Sequence, residues 1–186
     1  YAGSFFTGVL ATVAATPCTA PFMGVAVGYA VTQPWLTAPL LFEEKVRASA
    51  GLPYVLPQVR RTIEDAFERA GIGGVDELDA IETHDCFTTT EYMAIDHFGI
   101  TPPGESWRAI EKGETAPGGR IPVNPGGGLM GIGHPVGAGG VRMLLDAWKQ
   151  TTGGAGETQV EGARRIATLN IGGSGTTSVS FVVGPA

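Results

Sequence analysis

Residues 43–186 predict a layered α/β domain, and three observations carry that reading. Amphipathic helical patterns alternate with short apolar runs from Pro57 onward. The 29 glycines and 13 prolines fall mainly at the turns between those runs, so they punctuate elements rather than form low-complexity sequence. Finally, the apolar runs Ile166–Ile171 and Ser178–Val183 flank Gly172-Gly173-Ser174-Gly175, which suits a closing hairpin. Strands alternating with helices and ending in a hairpin imply a mixed sheet covered by helices.

Ahead of this domain the chain has a different character. From Tyr1 to Phe42 there is no charged side chain. Phe5–Trp35 is apolar throughout and long enough to cross a bilayer, yet it lacks the basic start and cleavage pattern of a signal peptide. Pro17 and Pro21 break a helix in its middle, with Cys18 at the break. The expectation is an apolar, transmembrane-like helical segment over 1–40, with membrane association through residues 4–35. A buried helical hairpin is the alternative.

In the domain, Pro57–Ala70 sets Val59, Ile63, Ala66, Phe67 and Ala70 on one face and most of its charges on the other, an amphipathic helix ended by Gly71. Leu78–His84 reads as a strand with a polar end, delivering its C-terminus to a site. Thr89–Phe98 reads as a helix opened by threonines and closed by Gly99. Residues 100–125 are turn-rich and read as a surface excursion. Val136–Gln150 reads as a second amphipathic helix, with Val141, Leu144, Leu145 and Trp148 as its packing stripe. Apolar runs at 166–171 and 178–183 read as two buried strands.

A net charge of −6 with no basic run argues against nucleic acid as a partner. Two cysteines, Cys18 and Cys86, make neither a disulfide framework nor a metal-ligand spacing. Chemistry concentrates instead in three loops that leave the ends of neighbouring elements: His84-Asp85-Cys86-Phe87, Gly133-His134-Pro135 and Asn170-Ile171-Gly172-Gly173-Ser174. Such convergence at one edge of a sheet is where α/β proteins place their sites. His134 stands out, because glycines from Gly126 to Gly140 frame it on a short loop that leads into a helix N-terminus. Asp85 either orients His84 or caps the helix that begins near Thr89, with the cap preferred. Cys86 reads as a packed cysteine, a thiolate nucleophile being the alternative. His97, in mid-helix, reads as structural.

The three loops, in this order, resemble the C-terminal half of a thiolase, in the sterol-carrier-protein-type or acetyl-CoA acetyltransferase-like branch. HDCF at 84–87 is similar to that branch's form of the thiolase NEAF loop. GGGLMGIGHPVGAGG at 126–140 resembles the Gly-His-Pro loop, and LNIGGSG at 169–175 the loop that bears a Cys-x-Gly motif in active thiolases. The likeness covers about residues 43–186, an incomplete C-terminal domain. It implies acyl-CoA C-acyltransferase chemistry, forming or breaking a carbon–carbon bond next to a coenzyme A thioester, with no covalently bound cofactor and no metal. It implies that His134 activates a nucleophilic cysteine and donates to a thioester oxyanion, that His84 helps the same oxyanion, and that loop residues 170, 172 and 173 form a second oxyanion site. It also implies a missing N-terminal half, a homodimer in the parent family, and a cytoplasmic setting for this part.

Two departures bear on activity. Position 170 is Asn rather than the second cysteine, and a carboxamide cannot take a proton from carbon near neutral pH. The half that bears the nucleophilic cysteine has no counterpart in the motifs present, so the chain alone is expected to be inactive. A thiolase-like aldolase or lyase, with an OB-fold partner in some relatives, and a non-catalytic acyl-CoA-binding scaffold therefore stay open. Separately, ATPCTAPFMG within residues 3–38 resembles the cysteine-bearing membrane helix of DsbD/CcdA-type electron transporters, which implies a redox role for Cys18. The two resemblances suit different environments, which places a natural fusion or an assembly join within residues 35–45.

Overall fold

The computed structural model describes residues 55–135, 137–172 and 177–184. The apolar segment 1–40, Cys18 and the 35–45 junction lie outside the described residues, as does Gly173. Among the described residues no helix is long and apolar enough to cross a membrane.

Helix α1, Pro57–Ala70, has the expected bounds. Proline at the first helical position lacks only an N–H that would be unpaired there anyway. Gly71 ends the helix at φ 66°, donating its N–H to Glu68 O. The buried face is Val59, Ile63, Ala66 and Phe67, whereas Ala70, expected on it, is exposed in the last turn, where the helix runs out past the core.

Strand β1, Ala80–Thr83, is fully buried. It pairs in parallel with β2, Ile166–Gly172, placing Ala80 beside Ile166 and Thr83 beside Leu169. Strand β3, Thr177–Val183, returns antiparallel to β2 as the anticipated hairpin. The sheet is therefore mixed, ordered β1-β2-β3. Side chains alternate across it. Ile81, Ala167 and Leu169 join α1 and helix α2, Thr88–Phe98, in one core. Ala80 and Ile166 face the other side, against Ala147 of helix α5, Gly139–Thr152.

Helix α2 opens with Thr90 Oγ1 accepting from the Phe87 N–H at 3.2 Å and closes at Gly99, in the left-handed region. His97 is structural, as its mid-helix position suggested. Its Nδ1 donates to Met93 O at 2.6 Å, and its Nε2 accepts the Leu56 N–H at 2.7 Å.

Three expectations need correction. Residues 100–125 are more than a surface excursion: besides the short helix α3, Ser106–Glu111, they bury Ala109 and Ile121. Val123 then bridges Ile81 in parallel, so this segment runs along the outer edge of β1. The α5 stripe is also reversed. Met143, Ala147 and Gln150 are the residues that pack, while Val141, Leu145 and Trp148 are exposed. Likewise β3 is not buried: Val179 and Phe181, on the α5 side of the sheet, are about half exposed. Both discrepancies have one physical reason. The apolar pattern marks a surface that needs covering, and these residues find no cover among the described residues.

Candidate active site at the end of strand β1

Strand alternation sets Ala80, Glu82 and the following residue His84 on the α5 side. The His84 backbone N–H continues the ladder to Leu169 O at 2.9 Å. Its ring Nδ1 lies 2.8 Å from Asn170 Oδ1, which can only accept, so Nδ1 carries the proton and Nε2 keeps its lone pair. The Asn170 Nδ2 lies beside the backbone of Gly140 in the first turn of α5.

His134 meets His84 edge to face, with ring centroids 4.9 Å apart and planes at 85°. The histidines predicted from loops fifty residues apart thus form one pair. His84 is nearly buried, whereas His134 is exposed. Burial pushes the His84 pKa below its ordinary 6.5; the hydrogen bond to Asn170 opposes that shift and the neighbouring His134 reinforces it. His84 is accordingly neutral near pH 7.

The loop that carries His134 is held from β1. Asn124, in the left-handed region at φ 53°, accepts the Thr83 N–H on its Oδ1 at 2.6 Å and donates its own N–H to Ile81 O at 2.7 Å. Helix α4, Gly128–Ile132, follows, a single turn that the glycine-rich sequence did not announce. Asp85 caps this helix rather than the one near Thr89. Its Oδ1 accepts the Leu129 N–H at 2.6 Å and its Oδ2 the Met130 N–H at 3.4 Å. The expected cap on the helix near Thr89 is therefore not formed; the backbone that Asp85 caps lies 44 residues away. Gly128 is required beneath it: its φ is +60°, and a Cβ there would strike Asp85 Oδ2 and stand 2.7 Å from Cγ.

The remaining candidates sit around this pair. Gly172 ends β2 opposite Thr177. Cys86 is half-buried with its Sγ 3.8 Å from Thr90 Oγ1, which suits a packed cysteine. Glu82 was missed by sequence reasoning. It is fully buried, its Oε1 accepts the Gly126 N–H at 2.7 Å, and its pKa is pushed up to about 7, chiefly by burial. The available signal was its spacing: Glu82 and His84 share a strand face.

This arrangement can polarise a carbonyl with the His134 imidazole and can accept a proton at His84 Nε2. Asn170 adds a carboxamide that orients His84 but holds no transferable proton.

Comparison with known proteins agrees with this geometry. The family model described as "Thiolase C-terminal domain-like" matches residues 47–185. Acetyl-CoA acetyltransferase of Methanothermobacter thermautotrophicus is 44% identical over 106 residues, 57% of this chain and 28% of that protein. Sterol carrier protein 2 of Gallus gallus is 36% identical over 122 residues, 66% of this chain and 22% of that protein. Benzoylsuccinyl-CoA thiolase subunit BbsB of Thauera aromatica is 33% identical over 114 residues, 61% of this chain and 29% of that subunit. The chain thus spans less than a third of these relatives. A solved structure titled "Ltp2-ChsH2(DUF35) aldolase" superposes with TM-score 0.61 at 22% identity, covering 69% of this chain and 32% of that one, which shows the shared fold. None of these matches supports the electron-transporter likeness of residues 3–38, nor a membrane role for that segment. By its loops, its sheet and the family match over 47–185, the chain belongs to the thiolase C-terminal domain-like family.

Proposed function

We propose that residues 43–186 supply the two-histidine half of a thiolase-type site acting on acyl-coenzyme A, and that the chain is inactive alone. The observation that carries this reading is the His84–His134 pair, 4.9 Å apart, with Asn170 bonded to His84. His134, on the glycine-framed loop, suits the oxygen of a thioester as it gains charge, while His84, its Nδ1–H held by Asn170, presents Nε2 as an acceptor. Loss of one such donor costs about 2.7–4 kcal/mol of transition-state stabilisation. The nucleophilic cysteine belongs to an N-terminal half, and the exposed apolar surfaces of α5 and β3 fit such a partner. Coenzyme A thioester is the substrate, with no bound cofactor. A homodimer, an OB-fold partner and a cytoplasmic setting follow from the same reading. Gly172 would serve the second oxyanion position, and Cys86 stays structural.

A lyase reading is favoured by one specific observation. Asn170 stands where a second cysteine would act, and its bond to His84 leaves Nε2 as a proton acceptor. In retro-aldol cleavage of a β-hydroxyacyl thioester, His84 Nε2 would take the hydroxyl proton. The Cα–Cβ bond breaks, the hydroxyl carbon leaves as a carbonyl compound, and the electron pair passes to the thioester enolate held by His134. The α-carbon then takes up a proton.

The test pairs this chain with the N-terminal half of the archaeal acetyltransferase and follows cleavage of acetoacetyl-CoA and of β-hydroxyacyl-CoA. Cleavage that falls by about 10²-fold or more on His84→Ala or His134→Ala supports the roles. Cleavage that survives both substitutions refutes them.

A further inference from the structure

We propose that Glu82 is the positioning residue of the two-histidine site: its buried carboxyl, bonded to the Gly126 N–H where Asp146 of α5 packs, anchors the start of the loop that carries His134 to β1 and so sets the spacing between His134 and His84. Three observations on different elements support it. Glu82 Oε1 accepts the Gly126 N–H at 2.7 Å, just ahead of α4. A Cβ on Gly126 would stand 2.7 Å from Glu82 Oε1 and 3.3 Å from Asp146 Cβ, so the loop backbone passes between strand and helix with no room for a side chain. On α5, beyond His134 in the chain, Arg142 Nη1 donates to Asp146 Oδ2 at 2.8 Å and so holds the side chain that packs against Gly126.

The cluster is poorly explained by stability alone. Glu82 Oε2 and Arg142 Nε and Nη2 are buried without a hydrogen-bond partner among the described residues. Buried polar groups left this way cost stability, and an apolar replacement of similar volume would avoid that cost. What the carboxyl provides is placement. Glu82 shares its strand face with His84, so a single strand carries one histidine and anchors the loop that carries the other. Asp85 bonds the same loop at Leu129 and Met130. Glu82 bonds it earlier, at Gly126, where the loop passes between β1 and α5.

This inference rests on the proposed site only in treating the histidine pair as functional. Its test needs no substrate, so it can fail while the thioester reading stands, and the reverse also holds. In the full chain, nuclear Overhauser contacts between the His84 and His134 ring protons are compared for the parent, Glu82→Gln and Glu82→Leu, with Ala80–Ile166 contacts as a check on the sheet. Glutamine keeps an acceptor for Gly126 and should retain the ring contact. Leucine should lose it while the sheet contacts remain. A ring contact retained in Glu82→Leu, or lost equally in Glu82→Gln, overturns the proposal. Should the leucine variant not fold, Arg142→Met is read in the same way at the α5 end; loss of the ring contact supports the link and retention overturns it.

Discussion

Glu82→Gln should change how stability depends on pH, and the magnitude follows from the burial of this carboxyl. Its pKa is raised from 4.5 to about 7, with burial as the largest cause and the Asp146 and Asp85 charges adding to it. The Gly126 hydrogen bond and Arg142 act in the opposite direction. At about 1.4 kcal/mol per pH unit, this rise corresponds to about 3 kcal/mol. The folded state binds the proton more tightly than the unfolded chain. The stabilising contribution is therefore fully present below about pH 4.5 and is lost as pH rises through about 7. His84 and His97 act in the other direction. Burial lowers both from 6.5, so their contributions are present above 6.5 and are lost as pH falls below it. Glutamine mimics the protonated acid, and the histidines are common to both proteins, so they cancel in the difference. Urea unfolding of parent and variant at several values between pH 5 and 8 isolates the carboxyl. The variant should gain on the parent by about 2.5 kcal/mol across that range, which is roughly 1–2.5 M in the urea midpoint. Parallel pH profiles would refute the claim that Glu82 is buried in this environment.

Gly128→Ala should destabilise the domain by about 1–3 kcal/mol in urea unfolding, because it combines a left-handed φ with a collision at the Asp85 carboxylate. A neutral result would mean that Asp85 does not cap α4. Leu145→Lys with Trp148→Lys should change folding stability by only about 0.5 kcal/mol each, since both side chains are exposed. The same double variant should reduce self-association measured by light scattering, and unchanged association would remove that face as an interface.

Legibility in the sequence followed the reach of each determinant. Helix α1 was readable to the residue because its determinants are local: Pro57 starts it, Gly71 stops it, and its apolar face lies between them. The loop around His134 was readable for the same reason, since its glycines and its histidine lie within a few positions of one another. What failed was anything whose partner is distant. Asp85 looked like a cap, but the backbone it caps is 44 residues on, and no local pattern reports that. Glu82 looked like the polar end of a strand; its burial depends on Gly126 and α5 closing over it. The α5 stripe was recognised as apolar, yet periodicity names a face and not what covers it. Val141, Leu145 and Trp148 are exposed for that reason.

The most direct measurement of the central claim joins residues 43–186 to the N-terminal half of the archaeal acetyltransferase and assays thiolysis of acetoacetyl-CoA with Asn170 and with Asn170→Cys. The account predicts little thiolysis with Asn170, since proton transfer at carbon contributes about 10²–10⁴-fold. Activity should rise with cysteine at 170 and fall again when His134→Ala is added. Thiolysis that proceeds equally with Asn170 and Cys at that position, and that is indifferent to His134→Ala, would contradict it.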